Sequence, residues 1–210
     1  METPRNVLLP TAYFPPVSYF ASLFSSNHAL IEACETFPKQ TYRNRCEILT
    51  SSGRQNLVVP VSKPYGNHTL TRDVLISYRE PWHQHHWKSI TTAYRSSPYF
   101  YYYADLLHPL FNRMESSLLI HNQNILIALI KILGIRPEIS LTVDYSKIAD
   151  GCNDLRTKMK PGRKEPGIFP EYPQVFSHLT GFIPDLSILD LIFNLGPASG
   201  DYLNKVVITP

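Results

Sequence analysis

His83, His85 and His86 crowd into the stretch PWHQHHWKSI, residues 81–90, between Trp82 and Trp87. Imidazoles at that density allow three kinds of chemistry. An H-x-H-H run can supply ligands to zinc or iron, but such sites draw further ligands from elsewhere. Cys152, Asp144 and Asp190 exist, yet their spacing points to no site. On a helix, His83 and His86 share a side and His85 turns away. A single imidazole, with its pKa near 6.5, also suits a general base or a hydrogen-bond donor. The third outcome is a helix start with a histidine packed between two indoles.

A second group is basic. In FPKQTYRNRC, Lys39, Arg43 and Arg45 bracket Tyr42 and Asn44. If a strand begins at Tyr42, both arginines face one way, and Tyr42 and Asn44 the other. Two guanidiniums on one face form a bidentate clamp for phosphate or carboxylate, with Lys39 as a point charge. The alternative is a solvated strand face with an internal acidic partner. Asp190 and Asn194 lie one turn apart on a helix and can face one site, or serve as a capping partner and a helix end. Asp154, Arg156, Lys158, Lys160, Arg163 and Lys164 read as a solvated charged loop, with closure over an anion as the alternative.

These groups need elements to position them. NVLLPTAYF reads as a buried first strand, and Pro15-Pro16 starts a helix with Val17, Phe20, Ala21 and Phe24 on one face. HALIEACETF reads as a second strand. RCEILT and NLVVPV form a hairpin across SSGRQ, with Pro60 marking an edge or an end. TRDVLISY and ISLTVD are further strands. Helices follow from Trp82, from YFYYYADL with Pro109 as a kink, and over SSLLIHNQNILIALIKIL, whose apolar C-terminal half predicts a core position. Gly134 is placed for a left-handed C-cap. Residues 150–174 lack periodicity and read as a Pro/Gly-rich charged loop. Ser187 N-caps a last helix that Gly196-Pro197 ends. Strand, helix, strand predicts an α/β fold: one domain over 1–210, a mixed sheet from the N-terminal half and helices packed on it.

Composition narrows function. The chain has 210 residues, 18% charged, with a net charge of +3. That excess is too mild for nucleic acid and compatible with a small anionic ligand. The longest apolar run, ILIALIKILGI, contains Lys131 and is shorter than the about 20 residues a membrane span needs. Three cysteines without a C-x-x-C pair, and no apolar leader in METPRNVLLP, predict a reduced, cytoplasmic protein. The 18 Pro and 13 Tyr suggest fixed turns and a groove of wet rings around a polar ligand. No phosphate-cradling glycine loop, nucleophile elbow or H-E-x-x-H occurs.

YFPPVSYFASL, ETFPKQTYRNRCEIL, VPV, DVLIS, HHWKSITTAYRSSPYFYYY and FIPDLSILDLIFNLGP, in this order, resemble the WbqC-like protein family from about Leu8 to about Gly200. The resemblance implies a setting in O-antigen or other surface-polysaccharide synthesis, acting on an amino sugar or nucleotide-activated sugar, as a transferase-type enzyme. It singles out His86 among the histidines and adds Tyr94. His86 and Asp190 would then be catalytic, and Lys39, Tyr42, Arg43, Asn44, Arg45, Tyr94 and Asn194 would bind a nucleotide-sugar-like anion. Two alternatives stand beside it: a non-catalytic protein holding a sugar nucleotide or a partner, and a metal-dependent enzyme using His83, His85 and His86. No cofactor or oligomeric state is implied.

Overall fold

The structure, a computed structural model, describes residues 6–147, 151–161 and 167–208. Four strands form one sheet: β1 (Asn6–Pro10), β2 (His28–Glu32), β7 (Glu138–Leu141) and β8 (Cys152–Asp154). Their order is β7-β2-β1-β8 and every pairing is parallel. β1 is central and nearly continuously apolar, as a strand covered on both faces must be. Antiparallel pairing is confined to separate ribbons: β3 (Arg45–Thr50) with β4 (Gly53–Val58), β5 (Val61–Ser62) with β6 (Leu75–Ile76), and β9 (Gly167–Ile168) with β10 (Val207–Ile208). The α/β class is the expected one.

The loop expected over 150–174 contains two of these strands. β8 was not legible because Cys152-Asn153-Asp154 carries no apolar alternation. Its ladder with β1 holds it in place instead. Arg163 and Lys164 lie outside the described residues.

The helices are α1 (Val17–Phe24), α2 (Trp82–Tyr94), α3 (Phe100–Asn112), α4 (Leu118–Leu133), α5 (Ser177–Thr180), α6 (Ile188–Leu195) and α7 (Ser199–Leu203). α1 and α6 are the core helices, buried almost all round. The expectation that the end of α4 is central does not hold. Ile127 is 63% exposed, and α4 buries one face through Leu118, Ile125, Leu126 and Leu129. Its caps are as expected: Ser117 accepts from the Ile120 N–H, and Gly134 closes it at φ 68°. Pro109 sits inside α3. One contiguous apolar cluster runs from β1 through α2, α3, α4 and α6 to α7.

Candidate functional site

Chain order and strand order together define a reversal. From β1 the chain moves outward to β2 and β7, then returns to the far side of β1 as β8. In parallel α/β sheets ligands bind outside the carboxyl ends of the strands, at such a reversal. The residues that end or follow these strands are therefore the ones to inspect.

They form a buried ionic cluster. Glu32 ends β2, and its Oε2 lies 2.7 Å from Arg156 Nη1. Its Oε1 accepts from Thr142 Oγ1 and from the Cys34 N–H, both at 2.8 Å. Arg156, just past β8, also clasps Asp154 through Nε at 3.0 Å and Nη2 at 2.7 Å. Hydrogen bonds donated to Asp154 and Glu32 hold this guanidinium charge more firmly than usual, against burial. Arg43 supplies the second cation. Its Nε and Nη2 both reach Glu35 Oε1 at 2.6 Å, and Nη2 reaches the Arg156 carbonyl at 3.4 Å. Burial pushes Glu35 up and Arg43 down, while their attraction opposes both shifts. A guanidinium stays protonated at physiological pH, so Glu35 is the member that yields first.

An aromatic and imidazole cluster adjoins it. Tyr13, following β1, lies with its Oη 2.9 Å from His86 Nδ1. The other His86 nitrogen turns to the Val58 backbone, which makes Nδ1 the acceptor and Tyr13 the donor. His121 stacks on Tyr13 at 5.9 Å, and Trp82 meets His86 edge-on at 5.1 Å. Burial pushes both His86 and His121 down to about 4, so both are neutral near pH 7. Tyr42, beside Arg43, and Asn122, beside His121, tie this cluster to the ionic one. The Tyr13 N–H donates to the Tyr42 carbonyl at 2.9 Å, and Asn122 Nδ2 donates to the Arg43 carbonyl at 2.8 Å and to Thr11 Oγ1 at 3.2 Å.

Asp190 belongs to a third, internal group. Its Oδ2 accepts from Tyr172 Oη at 2.6 Å and Gln174 Nε2 at 2.8 Å. Burial pushes it up to about 6, against those hydrogen bonds. It does not complete a capping box, because the Ser187 N–H donates to the Glu47 carbonyl instead. Asn194 donates to the Asp190 carbonyl at 2.8 Å, inside its own helix. Tyr94, fully buried, accepts from the Leu49 N–H at 3.0 Å.

The expected two-arginine clamp does not form. The strand begins at Arg45, not Tyr42, so Arg43 stands in the preceding turn and Arg45 in β3. Arg43 is committed to Glu35. Tyr42 donates to Glu47 at 3.2 Å, and Asn44 fastens the hairpin through the Val59 carbonyl at 2.9 Å. Lys39 is exposed. Nor do the three histidines converge: His86 points to Tyr13, His85 is exposed, and His83 lies edge-on to Trp82. Among the described residues no group of three His, Cys, Asp or Glu is placed to hold a metal. Of Asp154 and Arg156, both read as solvated, Arg156 is the reverse at 4% exposed, while Asp154 keeps 33% of its side chain exposed.

The position that binds phosphate in many α/β folds, the N-terminus of the first helix after β1, is filled from within. Asp185 Oδ1 accepts from the Ser18 N–H at 2.7 Å, and Oδ2 accepts from Ser18 Oγ at 2.9 Å. Cavities of about 340 and 290 Å³ lie at the opposite, amino-terminal end of the sheet, one by Asn6 and Asn153, the other by Asn27 and Arg136. Neither is lined by an expected site residue.

Sequence reasoning missed Tyr13, Glu32, Glu35, His121, Asn122 and the Asp154–Arg156 pair. Their signal was position: each except His121 and Asn122 ends or follows a parallel strand, and the reversal that gives those strand ends their meaning appears only once β8 is placed.

The WbqC-like protein family matches residues 11–161, so the last helix, quoted for the resemblance, lies beyond the match. The uncharacterized protein Rv1507c of Mycobacterium tuberculosis (strain ATCC 25618 / H37Rv) is 27% identical over 228 residues, covering 95% of this chain and 97% of its own. No solved structure matches. No helix among the described residues is long and apolar enough to cross a membrane. With most of its length matched, including both clusters at the strand ends, the chain belongs to the WbqC-like protein family.

Proposed function

We propose that the protein is a cytoplasmic transferase of surface-polysaccharide or amino-sugar biosynthesis, with its site at the carboxyl ends of β1, β2 and β8. One observation carries this reading. Two clusters of polar side chains from distant segments meet at the reversal of strand order, where a solvated surface alone would not bury Arg43, Arg156 and Glu32. Burying charge is costly, and a fold retains it where position matters.

The substrate in this reading is nucleotide-sugar-like, and the sugar enters the crevice rather than the diphosphate. The charge balance supports that orientation. Glu32, Glu35 and Asp154 engage Arg43 and Arg156, with Lys158 also acting on Asp154, and Asp185 already occupies the helix N-terminus. Arg43 and Arg156 act as positioning residues that aim carboxylates at the sugar. His86 acts through Tyr13, ordering the wall behind them.

The test is calorimetric titration with UDP-N-acetylglucosamine and dTDP-glucose, followed by mass spectrometry of each mixture with acceptor sugars. Saturable binding that Arg43→Lys weakens by about tenfold, the loss of one charge-assisted bond, is expected. No binding, or binding unaffected by Arg43→Lys in a folded variant, overturns it. The second reading, a non-catalytic sugar-nucleotide binder, draws on the internal pairing of every cluster member. Binding without release of nucleotide in the presence of any acceptor sugar favours it.

A further inference from the structure

The parallel sheet is left open along one edge. β7 pairs with β2, and its other side meets no strand among the described residues. Hydrogen bonds fix which groups face outward. The Glu138 N–H donates to the Asn27 carbonyl at 3.0 Å, and the Thr142 N–H to the Ile31 carbonyl at 3.0 Å. Backbone direction alternates along a strand, so Ile139 and Leu141 turn their N–H and C=O groups away from β2. No proline, lysine or bulge interrupts Glu138–Leu141, and those are devices that commonly keep an edge single. Apolar side chains stand exposed beside it, Leu141 at 38% and Val143 at 83%.

Charge makes this edge complementary to itself. Arg136 lies just before β7 and Asp144 just after it. Both are exposed, and neither forms an ion pair among the described residues. An antiparallel copy bonds only where outward-facing residues meet, and the choice of centre then decides the charges. Centred on Leu141, the pairing sets Glu138 opposite Asp144, two like charges. Centred on Ile139, it sets Arg136 opposite Thr142 and Asp144 opposite Gly134. Centred on Ser140, it sets Ile139 opposite Leu141 on both sides of the axis, each pair exchanging both backbone bonds. That same register brings Arg136 of each chain to Asp144 of the other.

We infer that a second copy of this chain docks antiparallel along β7, with Ser140 on the twofold axis, so that one sheet runs through both protomers. Ile139 and Leu141 then become cross-strand neighbours on the face where Ala29 and Ile31 are buried, which extends the core across the axis. On the other face the two Ser140 hydroxyls come within reach of each other, each 2.8 Å from its own His28 Nε2. The contact also bears on the crevice at the strand ends. Thr142 Oγ1 donates to Glu32 at 2.8 Å, and the Tyr145 ring lies 5.1 Å from the Arg156 guanidinium. Asp144 stands between them in the chain, so docking there steadies the segment that rests on Glu32 and Arg156.

Sedimentation equilibrium of the full-length protein at micromolar concentrations measures the association, with circular dichroism to show that each variant is folded. A dimer is expected. Leu141→Pro removes an outward N–H and leaves every bond to β2 in place, so it is expected to weaken association by at least about tenfold. Arg136→Asp sets like charges together at both ends and is expected to weaken it by about tenfold as well. The double variant, Arg136→Asp with Asp144→Arg, restores opposite charges and is expected to recover the wild-type association. Should Leu141→Pro fail to fold, the charge swap decides, since both of its positions are exposed. A wild-type monomer throughout overturns the inference and leaves the edge to another protein's strand or to solvent. A dimer that a folded Leu141→Pro leaves intact also overturns it, as does a swap that fails to recover what Arg136→Asp loses.

Discussion

Ser18 and Asp185, 167 positions apart in the chain, meet at the start of α1 through two hydrogen bonds of 2.7 and 2.9 Å. The carboxylate sits against the buried Ser18 N–H in the first turn and the positive end of the helix dipole, as a bound anion would. Asp185 adopts φ 54°, a conformation that glycine takes without strain. Asp185→Gly therefore removes the carboxylate without straining the backbone. It is expected to cost about 1–3 kcal/mol, the loss of charged hydrogen bonds to a buried N–H. It is also expected to open the helix start, so that inorganic phosphate stabilises the variant and not the wild type. Urea unfolding with and without phosphate measures both; no phosphate effect on the variant refutes the anion-mimic role.

Glu32 anchors the strand ends, being the shared partner of Arg156, Thr142 and the Cys34 N–H. Removing one member of a buried ion pair leaves the other uncompensated, at about 3–5 kcal/mol. Glu32→Ala is expected to fall in that range. Glu32→Gln keeps an acceptor for Arg156 and should lose less. Equal losses in chemical denaturation would mean that charge and hydrogen bonding at Glu32 contribute little, and that the ends of β2 and β8 are held by packing.

Acid stability follows from the buried imidazoles. His86 and His121 have folded pKa values near 4, below the ordinary imidazole value of 6.5. Protonation therefore favours the unfolded chain. Their contribution is complete above pH 6.5 and is lost as pH falls toward 4, by at most about 3 kcal/mol each. Asp190 has the opposite sign. Its folded pKa near 6 lies above 3.8, so its burial penalty is full above pH 6 and fades as pH falls. Two histidines outweigh one aspartate, so unfolding free energy is expected to drop between pH 6.5 and 4. His121→Phe keeps the stacking on Tyr13 and should remove most of that drop, because the one remaining histidine is then nearly balanced by Asp190. An unchanged slope would place the acid sensitivity elsewhere.

Much of the frame was legible because its signals are local. Ser187 as an N-cap, Gly134 as a left-handed C-cap, the β3–β4 hairpin and the helix from Trp82 all rest on a few adjacent residues. The site was less legible because its partners are distant. Pairing Arg43 with Arg45 requires a strand that starts at Tyr42, and a start three residues later puts them in different structures. In the sequence Arg156 stands in a charged loop and reads as solvated, yet β8 pairs with β1 and carries it inward. Glu35 had no pattern of its own, since its meaning comes from Arg43 and from the sheet order.

Asp190 also fastens the segment around α5. Asp190 Oδ2 takes both Tyr172 Oη and Gln174 Nε2, and Gln174 also bonds the Ile183 carbonyl at 2.9 Å through Nε2 and the Ile183 N–H at 2.9 Å through Oε1. One carboxylate thus fastens an otherwise irregular chain to α6. Asp190→Leu fills similar space but leaves a buried phenol and amide without an acceptor, each costing about 1–3 kcal/mol. Opening is expected to be local, because α6 itself is packed through Leu189, Ile192 and Phe193. Hydrogen exchange should therefore accelerate over residues 172–183 while β1 and β2 stay protected. Uniform acceleration across the whole chain would make Asp190 a global core residue; unchanged exchange at 172–183 would remove its fastening role altogether.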